Sequence, residues 1–219
     1  ERAAALRVAR MTVRLPRIAA EAHTSLAAPS AWGAIPPLGE LVDATGGGAP
    51  RDRTIVRAAT SGRAFHVLFE CDDVDVWATH GRRDAPLWEE EVVEVFIAPG
   101  RDDPRRYAEI EMSPAGVVFD AMVDNPHGRR DTMRVDVGWT AQGLVGRVSR
   151  PRSGRWLAEM AIPWAALADG SPPADVWRAN FFRVERPRGA APEFTAWSPT
   201  GATPADFHKP ASFGVLVLP

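Results

Sequence analysis

Apolar and polar positions alternate with a period of two along much of the chain. Over 63–71, Phe65, Val67, Phe69 and Cys71 fall on one face and His66 and Glu70 on the other, which predicts a half-buried strand. Over 91–98, Val93, Val95 and Ile97 share one face, and Val92, Glu94 and Phe96 share the other. Over 107–112, Ile110 and Met112 oppose Tyr107, Glu109 and Glu111. Further short strands are expected over 54–60, 116–123, 135–139, 144–148, 156–162, 178–185 and 214–218, with an edge strand over 11–15. The piece over 163–168 reads as a short helix, with Pro163 at its first position and Gly170 soon after its end. Residues 27–50 hold Pro36-Pro37 and Gly46-Gly47-Gly48 and read as a long surface loop anchored by Trp32. About ten short strands punctuated by turns predict an all-β fold. The expectation is a two-sheet antiparallel β-sandwich, jelly-roll or immunoglobulin-like, with one short helix. One domain over 1–219 is expected, with 1–50 as an N-terminal strand-and-loop extension.

A length of 219 residues with 45% hydrophobic and 25% charged positions suits a globular domain that needs no metal or disulfide to hold its core. The net charge of −2 provides no basic field for nucleic acid or anionic membrane. No run approaches the roughly 18 apolar residues of a membrane span. No secretion leader is visible, which leaves secretion open, and no linker rich in Ser, Thr and Pro leads out of the domain, so any catalytic partner is expected on a separate chain or outside the sequence given. The single cysteine, Cys71, lies in an apolar alternation and reads as a buried, inert thiol.

The chemistry is sparse. The five His are scattered and no Cys pair exists, which argues against zinc. There is no G-x-S-x-G nucleophile turn and no phosphate-binding glycine loop. Asp72, Asp73 and Asp75 follow a strand, as calcium ligands or as a solvated acidic turn. Glu89, Glu90, Glu91, Glu94, Glu109 and Glu111 sit on or beside neighbouring strands, either as a carboxylate pair across a cleft or as the wet face of a sheet. There are 8 Trp against a single Tyr. Trp139, Trp156, Trp164 and Trp177 read as core. Trp88 and Trp197 lie in polar segments marked by Pro86 and Pro199, where an exposed ring makes a platform for the apolar face of a sugar.

An ordered series of segments carries a family resemblance. Arg83-Asp84-Ala85-Pro86-Leu87-Trp88 runs into Glu89-Glu90-Glu91-Val92-Val93-Glu94. Tyr107-Ala108-Glu109-Ile110-Glu111-Met112-Ser113-Pro114 follows, then Trp156-Leu157-Ala158-Glu159-Met160-Ala161-Ile162-Pro163-Trp164 and Trp177-Arg178-Ala179-Asn180-Phe181-Phe182-Arg183. Trp197-Ser198-Pro199 and Phe207-His208-Lys209-Pro210-Ala211-Ser212-Phe213-Gly214 close the series. From about Thr54 to the C-terminus the chain resembles the family 9-like carbohydrate-binding modules of the DOMON-like β-sandwich group.

The resemblance implies non-catalytic binding of a small sugar or glycan chain end, with structural calcium in some members. It puts the first clamping Trp at Trp88 and the hydroxyl-binding Glu at Glu94. The second clamp falls on Phe207, a departure that leaves His208 or Trp197 to share its role. The expected contacts are thus Trp88, Glu94, Glu109, Arg183, Trp197, Phe207 and His208, and the expected calcium ligands Asp72, Asp75 and Asp84. A periplasmic or extracellular location, and a separate glycan-degrading enzyme as partner, also follow from the resemblance. Two alternatives stand beside it. One is an enzyme on the same scaffold using Glu94 and Glu109. The other is a b-type haem protein drawing on Met112, Met122, Met133, Met160, His66, His127 and His208, as in other DOMON-like domains.

Overall fold

The computed structural model describes residues 11–19, 29–168 and 174–219. Its strands in chain order are β1 (Thr12–Arg14), β2 (Pro37–Glu40), β3 (Val42–Asp43), β4 (Thr54–Thr60), β5 (Ala64–Asp72), β6 (Val92–Pro99) and β7 (Arg106–Met112). Then come β8 (Val118–Asp124), β9 (Arg134–Asp136), β10 (Val145–Arg152), β11 (Arg155–Pro163), the short helix α1 (Trp164–Leu167), β12 (Val176–Glu185), β13 (Glu193–Ala196) and β14 (Gly214–Val217). Among the described residues the larger sheet runs β1-β14-β12-β6-β7-β8-β9, with β13 and β3 branching from β12, and the smaller runs β10-β11-β5-β4-β2. All pairings between strands are antiparallel except β1 on β14.

The inward positions of the alternating strands meet between the sheets. Phe65 and Phe69 of β5 each lie 6.2 Å from Phe181 of β12, and Trp164 lies 4.6 Å from Trp177. Val93, Val95, Ile97, Ile110, Met112 and Trp156 complete this core, each contributing about 1.5–3 kcal/mol by burial. Cys71 is buried in the same layer, which pushes its thiol up to about 12.

The outward positions of the larger sheet are not wet. Val92, Phe96, Tyr107, Ala121 and Phe182 form a second apolar cluster, roofed by Leu87, Phe207 and Phe213 from the connecting loops. Glu94, Glu109 and Glu111 share that face at 3%, 6% and 1% exposure, so their alternation does not mark a solvated surface.

Three local expectations are corrected. The 27–50 loop contains a 3₁₀ turn (Pro29–Ala34) and two strands, of which β2 pairs with β4. Pro37 opens β2 at the sheet edge, where a missing N–H costs no ladder bond. The strand expected over 135–139 ends at Asp136, and β13 was not expected. Trp32 is buried as its anchor role required, whereas residues 1–10 and 20–28 of the extension lie outside the described residues.

Candidate functional site

A cavity of ≈ 410 Å³ opens on the outer face of the larger sheet. Its floor is set by strand register. Glu94 on β6 lies opposite Glu111 on β7, and Glu109 sits two residues back on the same face. One oxygen of each lies within 4.8 Å of the others. Among the described residues no arginine or lysine pairs with them. Arg130, on the same lining, is bonded to Asp206 (2.8 Å), and Arg186 donates to the Trp88 carbonyl (3.2 Å).

Burial raises all three carboxyls. Glu94 is held well above the usual carboxylate range by burial and then by the charge of Glu109. Burial also raises Glu111 well above it, with the charges of Glu94 and Glu109 adding to the effect. Burial pushes Glu109 up to about 7, against the pull of a Glu111 hydrogen bond and Arg130. One oxygen of Glu111, Oε2, has no hydrogen-bond partner.

The walls are apolar and partly aromatic. Trp88 stands on a 3₁₀ turn (Leu87–Glu89) whose Leu87 is buried as its anchor. Its indole is 43% exposed and meets Phe119 edge-on at 5.2 Å. Val135 and Val137, also exposed, line the same mouth with Met133 and Phe194. Phe207 stacks flat on Phe182 at 4.2 Å and 15°. His208 follows it, with Nδ1 2.8 Å from the Tyr107 hydroxyl and Nε2 3.9 Å from Glu109 Oε1. Asn125 Nδ2 donates to that hydroxyl (3.4 Å) and to the His208 carbonyl (3.1 Å). Burial brings His208 down to about 4, so its ring is neutral at neutral pH.

The structure brings Trp88, Glu94, Glu109, Phe207 and His208 together on this lining, and adds Glu111, Phe119 and Phe194. Glu111 was legible only as one of several alternating glutamates. Two expected contacts lie elsewhere. Trp197 is buried in the core between the sheets, edge-on to Phe181 at 5.4 Å. Arg183 faces the same inner side. It bonds Asp73 (3.1 Å), Thr54, the Asp72 carbonyl and Glu185, and lies over the Trp156 ring at 5.9 Å. On β12 the outward neighbours are Phe182 and Val184, so the pleat turns Arg183 away from Glu94. Of the residues weighed for haem, Met112, Met122 and Met160 are in the inner core, and only Met133 and His208 line the pocket.

A second group of carboxylates was not foreseen as a unit. Asp73, Glu91 and Glu185, all buried, bring one oxygen each within 4.8 Å of the others. Glu91 Oε2 accepts from the Trp77 amide (3.1 Å), but Oε1 has no partner. Burial, with Glu185 and Asp73 nearby, pushes Glu91 up to about 9, and burial brings Glu185 to about 7 despite Arg183. Three carboxyls share one guanidinium, and an all-oxygen donor set is what a hard divalent cation takes. The residues therefore fit a metal ion. The expected calcium ligands are instead engaged by arginines: Asp72 by Arg155 (3.8 Å), Asp75 by Arg188, and Asp84 by Arg83 (3.7 Å). None of the three belongs to either carboxylate group.

The model of carbohydrate-binding family 9 matches residues 50–218. An extracellular protein of Arthroderma benhamiae is 28% identical over 177 residues, covering 77% of this chain and 80% of the relative. The crystal structure of a protein from Bacteroides uniformis, assigned as carbohydrate-binding, superposes with a TM-score of 0.75 at 23% identity, over 95% of this chain and 99% of the other. A family 9 module from Caldicellulosiruptor kristjanssonii in complex with cellotriose superposes with a TM-score of 0.63 at 10% identity, over 94% and 93% of the two chains. At these identities the two structures speak for the fold.

Proposed function

We propose, on the premise that this chain belongs to carbohydrate-binding family 9, that the cavity on the outer face of its larger sheet binds the terminal sugar of a glycan without catalysis. The observation that carries this is the conjunction at one mouth of an exposed Trp88 and three buried glutamates. The sugar ring lies against the Trp88 indole, with Phe207 closing the opposite side. Its hydroxyls meet Glu94, Glu109, Glu111 and His208, groups that both donate and accept. Each good bond from a hydroxyl to a charged acceptor is worth about 1.5–3 kcal/mol, while an exposed neutral one gives less.

The cluster of Asp73, Glu91 and Glu185 is the calcium site in this reading. It ties the strand end after β5 to the segment leading into β6, and Trp88 sits on that segment. A calcium ion there fixes the platform and does not touch the sugar. Family membership and the extracellular relative support work outside the cytoplasm, and in this reading the module serves a separate polysaccharide-degrading enzyme.

Calorimetry of the chain against glucose, cellobiose, cellotriose and a wider glycan panel tests the sugar site. Saturable binding is expected, and its loss in Trp88→Ala. A folded protein that binds nothing across the panel would sink the reading.

A further inference from the structure

The floor of the cavity has more acid than a neutral sugar requires. Three glutamates, each at most 6% exposed, bring one oxygen apiece within 4.8 Å of the others on the cavity lining, and Glu111 Oε2 is buried with no hydrogen-bond partner. A buried carboxylate needs a cation or a proton. No arginine or lysine among the described residues bonds any of the three: Arg130 bonds Asp206 and acts on Glu94 and Glu109 only through its charge, and Arg186 donates to the Trp88 carbonyl. Facing a neutral hydroxyl the three acids keep their protons, whereas a cation on the floor lets them ionise and pair with it.

We propose that the sugar bound in this cavity carries a primary ammonium group, as a terminal amino sugar with a free amine does, and that Glu94, Glu109 and Glu111 receive it. The geometry matches in number: an ammonium has three N–H donors and no acceptor, and the floor presents three carboxylates. The walls suit an organic cation, since Trp88, Phe119, Phe194 and Phe207 give the ring apolar and aromatic surface. A divalent metal fits less well. It takes 6–8 oxygens, and among the described residues the three glutamates are the only oxygen-bearing side chains on the lining. Stacked strands below commit their carbonyls to the ladder. This inference rests on the sugar-site reading and names the class of sugar.

Three β-1,4-linked trisaccharides test it, because they differ only at C2: the glucosamine trimer, cellotriose and the N-acetylglucosamine trimer. Calorimetry is done on the full chain at pH 6, where an amine is protonated, once in EDTA and once in Ca²⁺. The glucosamine trimer is expected to bind about tenfold or more tighter than either of the others in both buffers. In Glu111→Gln and in Glu109→Gln that ratio is expected to fall toward one, with circular dichroism confirming that each variant is folded. Cellotriose binding as tightly as the glucosamine trimer would overturn the inference and leave the sugar site standing. Binding that appears only in Ca²⁺ and vanishes in Glu111→Gln would put a metal on the floor and overturn it too. Failure of all three to bind would take down both the inference and the site.

Discussion

Glu94 stands opposite Glu111 across the β6–β7 ladder, two buried acids facing each other on a sheet surface that the loops have closed off from water. The pair makes stability depend on pH. Burial pushes Glu109 up to about 7 and holds Glu94 and Glu111 well above the usual carboxylate range, the charge of Glu109 adding to Glu94 and those of Glu94 and Glu109 to Glu111. Their folded values exceed the unfolded ones, so their contribution is present at low pH and is lost as pH rises through the folded values. Glu185 at about 7 and Glu91 at about 9 act in the same direction. His66 and His208, both lowered to about 4 by burial, act oppositely, but only between about 4 and 6.5. Above pH 6.5 the acids act alone. In chelator and without ligand, the unfolding free energy should fall from pH 6.5 to pH 9, by about 1.4 kcal/mol per pH unit for each proton the folded state retains. Glu111→Gln should flatten the slope. Denaturant melts across that range check it, and a stability that climbs with pH would refute the assignment.

Trp88 and Trp197 carry the same ring into opposite roles. Trp88→Ala should abolish sugar binding and leave stability within about 0.5 kcal/mol, because the ring is largely outside the core. Trp197→Ala should cost about 3–5 kcal/mol by emptying a packed site between the sheets. Gly214 extends the point. A Cβ there would lie 2.3 Å from Trp197 Cζ3 and 3.1 Å from the Met11 carbonyl oxygen. Gly214→Ala should therefore cost about 1–3 kcal/mol, and less in a Trp197→Phe background, which a double-mutant cycle measures.

The cluster of Asp73, Glu91 and Glu185 predicts metal-linked stability. At a calcium concentration one hundred times the Kd, the gain is about 2.7 kcal/mol. EDTA should lower the melting temperature of the wild type. Glu91→Gln should erase that response while making the metal-free form more stable, since it removes the carboxyl whose Oε1 lacks a partner. Equal melting curves with and without calcium in the wild type would remove the metal from this cluster.

Much of the fold was legible because the strands that matter alternate strictly. The period in 63–71, 91–98 and 107–112 located β5, β6 and β7 to within a residue or so. β2 and β13 were hidden because they are short edge pieces among Pro and Gly, held by pairing and not by their own pattern. The site was half legible. Trp88, Glu94, Phe207 and His208 came from segment order, and Glu109 from the alternation. Strand parity alone could have told that Arg183 faces away from Glu94, since Phe182 and Val184 flank it. What no local pattern could show is which face of the larger sheet the loops cover. That is decided by Leu87 and, more than a hundred residues later, by Phe207 and Phe213, and it turns a wet glutamate row into a pocket floor.

Phe207 takes the place that the resemblance gives to a second clamping Trp. One face of its ring is already used, flat against Phe182 at 4.2 Å, and Phe194 meets it edge-on at 6.1 Å. The ring thus serves the second apolar cluster and the pocket wall together, and it holds the segment on which His208 reaches Tyr107 and Glu109. Phe207→Ala should lose about 3–5 kcal/mol of stability and weaken sugar binding about tenfold or more. Phe207→Leu should recover most of the stability, because it refills the volume, but not the binding, because it gives the sugar no flat face. Phe207→Trp should bind at least as tightly as the wild type, the indole adding area and an N–H donor. Paired unfolding and calorimetric titrations separate the two roles. If Phe207→Leu binds as the wild type does, the ring is a roof support and not a contact for the sugar.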